Sequence, residues 1–312
     1  MSIKRTTGDY LALFLKGMLM GAADVVPGVS GGTIAFITGI YEELINTIKG
    51  FNLQAVRVLF SDGPVACWKQ VNGTFLLVLL VGIITSIATI AGAVLFLLAN
   101  HPILLWAFFF GLILASVWLV MTHIERWDLN LMSGFILGTL LAFAVTSFAP
   151  VSVEPTTLMV LLSGAIAICA MILPGISGSF ILLLLGMYAH ILAAVKGADF
   201  QVIGLFILGC IVGIMSFSRV LSWMFSHHRQ VTLALLAGFM LGSLNKVWPW
   251  KYTLAYTINR HGEQVPLQQE NILPWNFQSI TGESSFVIGA VALMLVGMMV
   301  VIAMERYQAA KG

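Results

Sequence analysis

The sequence predicts an all-α polytopic membrane protein of two inverted repeats, each a broken or re-entrant helix hairpin plus three transmembrane helices. Three observations carry this reading. Hydrophobic residues make up 59% of the 312-residue chain and charged residues only 9%, whereas a soluble domain averages about 25% charged. Six apolar stretches approach or exceed the roughly 20 residues that a bilayer demands. Two segments echo each other, Val25-Val26-Pro27-Gly28-Val29-Ser30-Gly31-Gly32 and Ile172-Leu173-Pro174-Gly175-Ile176-Ser177-Gly178-Ser179. Each sets a Pro-Gly break inside otherwise apolar sequence. Duplicated breaks at matching positions of two halves point to a transport site.

The first half, residues 1–150, opens with the broken region, roughly 10–49. Lys4 and Arg5 precede Tyr10–Ala23, but Asp24 and the Pro-Gly break stand where a cleavage site would, so no cleavable leader is expected. Pro27 lacks an N–H and disfavours helix for its predecessor, and Gly28 admits backbone angles that other residues resist. Two helices flanking a turn are expected, the second starting near Val29. Spans follow at roughly 73–99, 103–123 and 130–149. The first is the longest, which implies tilt or projection from the bilayer.

The second half, residues 151–312, repeats the order. Its broken region covers roughly 156–196, with a helix restarting near Ile176, and its spans lie near 200–225, 231–249 and 284–304. Aligning Pro27 with Pro174 also aligns Ser30 with Ser177, Gly31 with Gly178, Gly39 with Gly186 and Tyr41 with Tyr188. Further on, His101, Gly111 and Ser116 match His228, Gly238 and Ser243 in order and spacing. The segment near 250–283, with Asn259, Arg260, His261, Gly262 and Glu263, reads as a polar surface loop. Most tryptophans lie near span ends and read as interfacial anchors. Cys67, Cys169 and Cys210 have no metal-ligand or CxxC spacing.

Charge sets the orientation. With a cytoplasmic N-terminus and two re-entrant hairpins, the cytoplasmic segments carry Lys4, Arg5, Lys49, Arg57, Lys69, Arg126, Arg229, Arg306 and Lys311. The opposite side carries only Lys196, Lys246, Lys251 and Arg260. This bias follows the positive-inside rule and puts both termini in the cytoplasm. Three spans separate the hairpins, so they enter from opposite faces. The formal net charge of +2 is too small to imply nucleic acid.

The residues that can carry chemistry cluster at the breaks. A helix restarting after each break presents unpaired N–H groups and the positive end of its dipole. Gly28, Gly31, Gly32, Gly175 and Gly178 let an anion approach the backbone, while Ser30, Thr33, Ser177 and Ser179 supply hydroxyls. Close helix packing on small residues is the competing explanation; the duplication favours the site. Arg219, inside an apolar span, offers a planar fork for a phosphate. Asp24 repels an anion, so it orients Arg219 or Lys16 or carries a coupling cation. Lys16 lies in the first arm and either serves the site or snorkels to the interface. Glu42 is a second candidate for coupling. The adjacent histidines His227 and His228 lack further ligands for a metal, and no cofactor is implied.

At the breaks the sequence resembles a known family. Gly21-Ala22-Ala23-Asp24-Val25-Val26-Pro27-Gly28-Val29-Ser30-Gly31-Gly32-Thr33, with Gly39-Ile40-Tyr41-Glu42 behind it, is similar to the signature of the bacterial polyprenyl-phosphate transporter family. Leu173-Pro174-Gly175-Ile176-Ser177-Gly178-Ser179 and Phe108-Phe109-Phe110-Gly111-Leu112-Ile113-Leu114-Ala115-Ser116 also fit. The resemblance spans nearly the whole chain. It implies a carrier in the bacterial cytoplasmic (inner) membrane. That carrier returns undecaprenyl phosphate, the lipid that bears cell-wall precursors outward, to the cytoplasmic leaflet. The residues themselves say only that an anion is handled at membrane depth.

Two rivals are weighed. The loops are also similar to those of the membrane undecaprenyl-diphosphate phosphatase, but Gly31 and Gly178 stand where that enzyme has arginine, so hydrolysis is not expected. An ion-coupled transporter of a small soluble anion would share the broken helices and Arg219. The expected partners are the polyprenyl-phosphate lipid, membrane lipids and a coupling cation, H⁺ or Na⁺. A homo-oligomer is compatible with the sequence, which marks no interface apart from lipid-facing surface.

Overall fold

The computed structural model describes residues 5–26, 29–122, 124, 126–148, 153–258 and 264–309. The first half comprises α1 (Thr7–Asp24), α2 (Gly31–Ile37), α3 (Tyr41–Gly50), α4 (Leu53–Ser61), α5 (Pro64–Gln70), α6 (Gly73–Thr89), α7 (Ala91–Asn100), α8 (Pro102–Thr122) and α9 (Leu129–Ser147). The second comprises α10 (Thr157–Ile172), α11 (Gly178–Leu184), α12 (Tyr188–Lys196), α13 (Phe200–His227), α14 (Arg229–Ser243), β1 (Lys251–Ile258), β2 (Gln264–Asn271), α15 (Pro274–Thr281) and α16 (Val287–Ala309). Among the described residues, α8, α9, α13 and α16 are each long and apolar enough to cross a membrane. Two bent pairs, α5 with α6 and α11 with α12, raise the total to as many as six.

Both broken regions have one plan. A long arm, α1 or α10, runs inward; a loop follows; then a seven-residue helix, α2 or α11, turns back. The expected two helices per region are in fact three. Gly39 (φ 72°) and Gly186 (φ 67°) end the short helices in the left-handed conformation, which a side chain would disfavour. The chain then bends into α3 or α12, by 109° in the second region. The restarts come at Gly31 and Gly178, two residues later than expected, after Ser30 and Ser177 in extended conformation. Ser30 caps α2 by accepting from the Gly32 N–H.

Two expected spans are shorter than foreseen. The stretch 73–99 divides at Ile90 into α6 and α7. Thr85 and Thr89 in α6 each donate back to the carbonyl four residues earlier, at 2.7 Å, which loosens and bends a helix. The stretch 231–249 ends at Ser243, because the Asn245 side chain turns to Thr146 and Ser147 and Pro249 cannot continue a helix. Helices α4 and α5 were not foreseen. They carry Arg57 and Lys69 beside exposed Leu53, Phe60 and Val65, the pattern of helices lying in a membrane interface.

The segment 250–283 is more ordered than a surface loop. Strands β1 and β2 pair antiparallel, with Lys251 opposite Asn271 and Tyr252 opposite Glu270. Trp250 and Phe277 anchor the unit in a core shared with Ile103 and Ala107 of α8. Trp106 is buried as well, so Trp106 and Trp250 are packing residues rather than interfacial anchors. Asn259 to Glu263 lie outside the described residues, as do Lys4, His123, Glu125 and Lys311.

Four helix pairs hold the bundle together: α1 with α6, α10 with α13, α8 with α16 and α9 with α14. Exchanging the halves maps the first pair on the second and the third on the fourth. Glycines seat every pair. A Cβ at Gly17 would come 2.4 Å from the Leu79 carbonyl oxygen, and at Gly209 it would come 2.0 Å from that of Leu161. Without a hydrophobic drive between helices in lipid, such close backbone approach supplies the attraction. Cys169 and Cys210 sit at the α10–α13 seam, donating to the carbonyls of Gly213 and Gly164. The exposed apolar side chains of α6, α9, α13 and α16, among them Ile84, Leu140, Ile207 and Met299, form the surface that lipid covers.

Candidate functional site

The two loops meet. The backbone N–H of Gly175 donates to Thr33 Oγ1 at 2.8 Å, joining residues 142 apart in sequence. Ser30 Oγ donates to the Met171 carbonyl at 3.0 Å, and the Tyr41 hydroxyl to that of Ile172 at 3.1 Å. The backbones also touch, since a Cβ on Gly32 would lie 2.6 Å from the Ile172 carbonyl oxygen. Pro27 and Gly28 lie outside the described residues.

The two loops differ in what they offer. In the first, the Asp24 carboxylate accepts the Gly31 N–H at 2.6 Å and Ser30 Oγ accepts that of Gly32 at 3.0 Å. Ser30, Gly31, Gly32 and Thr33 are all buried. This loop therefore carries its own anion. At the matching position of the second half stands Met171, which has no charge. There the Ser177 and Ser179 hydroxyls bond each other at 2.8 Å, Gly178 is half-buried and Ser179 is exposed. Ser177 is buried beside them, so the second loop differs from the first in exposing Ser179.

Lys16 and Asp24 bracket α2. Asp24 meets its N-terminal end, while Lys16 Nζ donates to the Thr38 carbonyl beyond its C-terminal end at 2.6 Å. Each charge opposes the nearer pole of the helix dipole. Neither pairs with Arg219. That residue is exposed on α13 and donates to the Met215 carbonyl of its own helix. Helix α13 runs parallel to α10, with Gly209 against Leu161 and Gly213 against Cys169, so Arg219, six residues further on, lies past the end of α10, at the depth of the second loop. Glu42 accepts two bonds from Arg229, at 2.8 and 3.0 Å, on an exposed surface. Glu43 pairs with Arg5 and accepts from Asn72.

The ends of the bundle differ too. At the end where α1 begins and α16 finishes, α3 packs on α13. Tyr41 and Phe225 rings meet edge-to-face at 5.9 Å, Ser222 donates to Asn46 at 2.8 Å, and Lys49 donates to Ser222 at 3.1 Å. The counterpart helix α12 makes no comparable packing against α6.

At the other end lies a cavity of about 310 Å³, lined by Thr146, Ser147, Phe180, Asn245, Lys246 and residues of β2. Lys246 sits beyond the end of α14 with its ammonium 4.4 Å from the centre of the Phe180 ring in α11. Lys251 lies 3.7 Å from the Trp106 ring centre and donates to the Lys246 carbonyl at 2.6 Å. Burial lowers the pKa of both, and the charge of Lys246 lowers that of Lys251 further. Sequence reasoning missed this pair because Lys246 fell inside an expected span. The visible signal was a lysine just before Trp248-Pro249-Trp250.

Comparison with known proteins agrees with this architecture. A family profile described as undecaprenyl phosphate translocase-like matches residues 20–265. The polyprenyl-phosphate transporter of Vibrio cholerae is 50% identical over 301 residues, covering 96% of this chain and 98% of that protein. The polyprenyl-phosphate transporter of Staphylococcus aureus is 32% identical over 254 residues, covering 75% and 85%. No solved structure matches. Both relatives are named transporters rather than enzymes. With this coverage and a multi-pass helical fold, the chain belongs to the undecaprenyl phosphate translocase-like family of bacterial inner-membrane transporters.

Proposed function

We propose that this protein returns undecaprenyl phosphate from the outer to the cytoplasmic leaflet by alternating access of its two halves, residues 1–150 and 151–312. The relatives' names support the substrate. The positive-inside bias supports cytoplasmic termini, so the β-hairpin end faces the outer leaflet.

One observation carries the direction. The α3–α13 contacts close the cytoplasmic end, the first loop is buried, and the second exposes Ser179 beside half-buried Gly178. The phosphate arrives at the hydroxyls of Ser177 and Ser179 beside Gly178. Arg219, whose guanidinium has one bond to its own helix, supplies charge from the lateral surface, where a polyprenyl tail stays in lipid. An exposed arginine at membrane depth is costly, and a phosphate lowers that cost. Rocking of the halves opens the α3–α13 seam and presents the phosphate to the first loop. There it replaces the Asp24 carboxylate at the N–H of Gly31, with Ser30, Gly32 and Thr33 around it. Protonation or Na⁺ binding at Asp24 assists that exchange. Lys16 holds α2 in place, and Glu42 with Arg229 belongs to the seam.

The test is transport of fluorescent polyprenyl phosphate in proteoliposomes. The Ser177→Ala/Ser179→Ala pair lowers the rate about tenfold or more, the loss of roughly 1.4 kcal/mol of head-group binding. Unchanged transport removes the second loop from the path. Phosphate release from a lipid diphosphate by purified protein overturns a carrier-only function.

A further inference from the structure

We propose that the cavity at the β-hairpin end is a second anion site, in which Lys246 captures a phosphate monoester before it reaches the loops. Most of its lining is polar: Thr146 and Ser147 from α9, Asn245 after α14, and Gln269 and Asn271 from β2. This is unusual ground in a chain with only 9% charged residues.

Lys246 is the reason the cavity needs an anion. Its ammonium has no hydrogen bond or ion pair among the described residues; only the face of Phe180 opposes it. A cation over a ring gains about 1–2 kcal/mol, which does not replace a counter-ion. Glu270 borders the cavity but is exposed and makes no ion pair with either lysine. Lys251, below, adds a second positive charge with a ring and a carbonyl for company. Two half-buried ammonium groups, neither in an ion pair, raise the cost of the empty state, and a phosphate dianion offsets it.

The position suits capture. Phe180 is in α11, which begins one residue after Ser177, so the site and the second loop share an element. Lys251 acts through Lys246: its bond to the Lys246 carbonyl fixes where that backbone stands, which makes it a positioning residue. Phe148, 66% exposed, borders the cavity beside Phe180 and Leu184. This apolar border fits a phosphate carried on a lipid. Inorganic phosphate has the same head chemistry without a tail.

The choice of lipid rests on the transporter reading above; the anion site does not. Full-length protein in nanodiscs is titrated with a short-chain polyprenyl phosphate and, separately, with inorganic phosphate. Lys246→Gln weakens lipid binding about tenfold, equivalent to roughly 1.4 kcal/mol, and Lys246→Arg restores most of it. In the wild-type protein, the lipid also protects Lys246 from an amine-acylating reagent, read by peptide mass spectrometry. This second readout serves if the Gln variant does not fold. Unchanged affinity in Lys246→Gln, or unprotected Lys246 at saturating lipid, overturns the capture site and leaves the carrier reading standing. A wild-type protein that ignores the lipid but binds inorganic phosphate through Lys246 overturns the carrier reading and keeps the anion site. Binding of neither ligand overturns both.

Discussion

Asp24 and Lys16 show how two membrane-depth charges can serve one short helix. They sit on the same arm, and α2 lies antiparallel beside it with one pole against each charge. A hydrogen bond to a charged group contributes about 1.5–3 kcal/mol. Asp24→Ala therefore lowers the melting temperature in detergent by several degrees, a loss of roughly 2 kcal/mol. Asp24→Asn, which keeps an acceptor for the Gly31 N–H, loses less than half of that. A variant that melts like the wild type but no longer transports would move Asp24 from scaffold to coupling. The sequence showed both charges but not their shared partner, because that contact closes around a loop rather than along a helix. Lys246 was hidden for the opposite reason: its apolar neighbours read as span, and only the early end of α14 turns it into the cavity.

At the scale of elements, glycine placement decides which helices touch. Gly111 of α8 and Gly238 of α14 already align in the sequence, and the fold gives the match a physical cause. A Cβ on Gly111 would stand 2.0 Å from the Met294 carbonyl oxygen, and one on Gly238 2.1 Å from that of Phe135. These contacts lie at exchanged positions, α8 on α16 and α14 on α9. Gly111→Val and Gly238→Val each force the helices apart, at about 1–3 kcal/mol, and each reduces the folded yield on size exclusion. Gly204→Val is the control, since a Cβ there meets nothing within 4 Å. Equal yields for all three would mean that the pairs tolerate separation. Helix pairing was legible here because small residues leave gaps in an apolar run. The β-hairpin was not, although Lys251–Ile258 is rich in strand-favouring tyrosine and β-branched residues, because a short run of this kind among tryptophans reads equally well as a span end.

Across the whole molecule, the two halves share a plan but not a conformation. The duplicated breaks and the order of the spans could be read from the chain, since Pro-Gly in lipid has few meanings. The difference between the ends could not, because it depends on which of two equivalent helices, α3 or α12, is packed. If the α3–α13 seam must part to release the phosphate, locking it stops the cycle at one stage. Ser222 donates to Asn46 at 2.8 Å across that seam, so cysteines at the two positions would face each other. In a chain whose Cys67, Cys169 and Cys210 are replaced by Ala, Asn46→Cys with Ser222→Cys cross-links on oxidation. Transport in proteoliposomes then stops and returns with reductant. Lipid binding from the β-hairpin end persists in the locked protein, because the second loop and the cavity lie on the other side of the lock. A locked protein that still transports would show that the phosphate leaves by a path that does not cross α3.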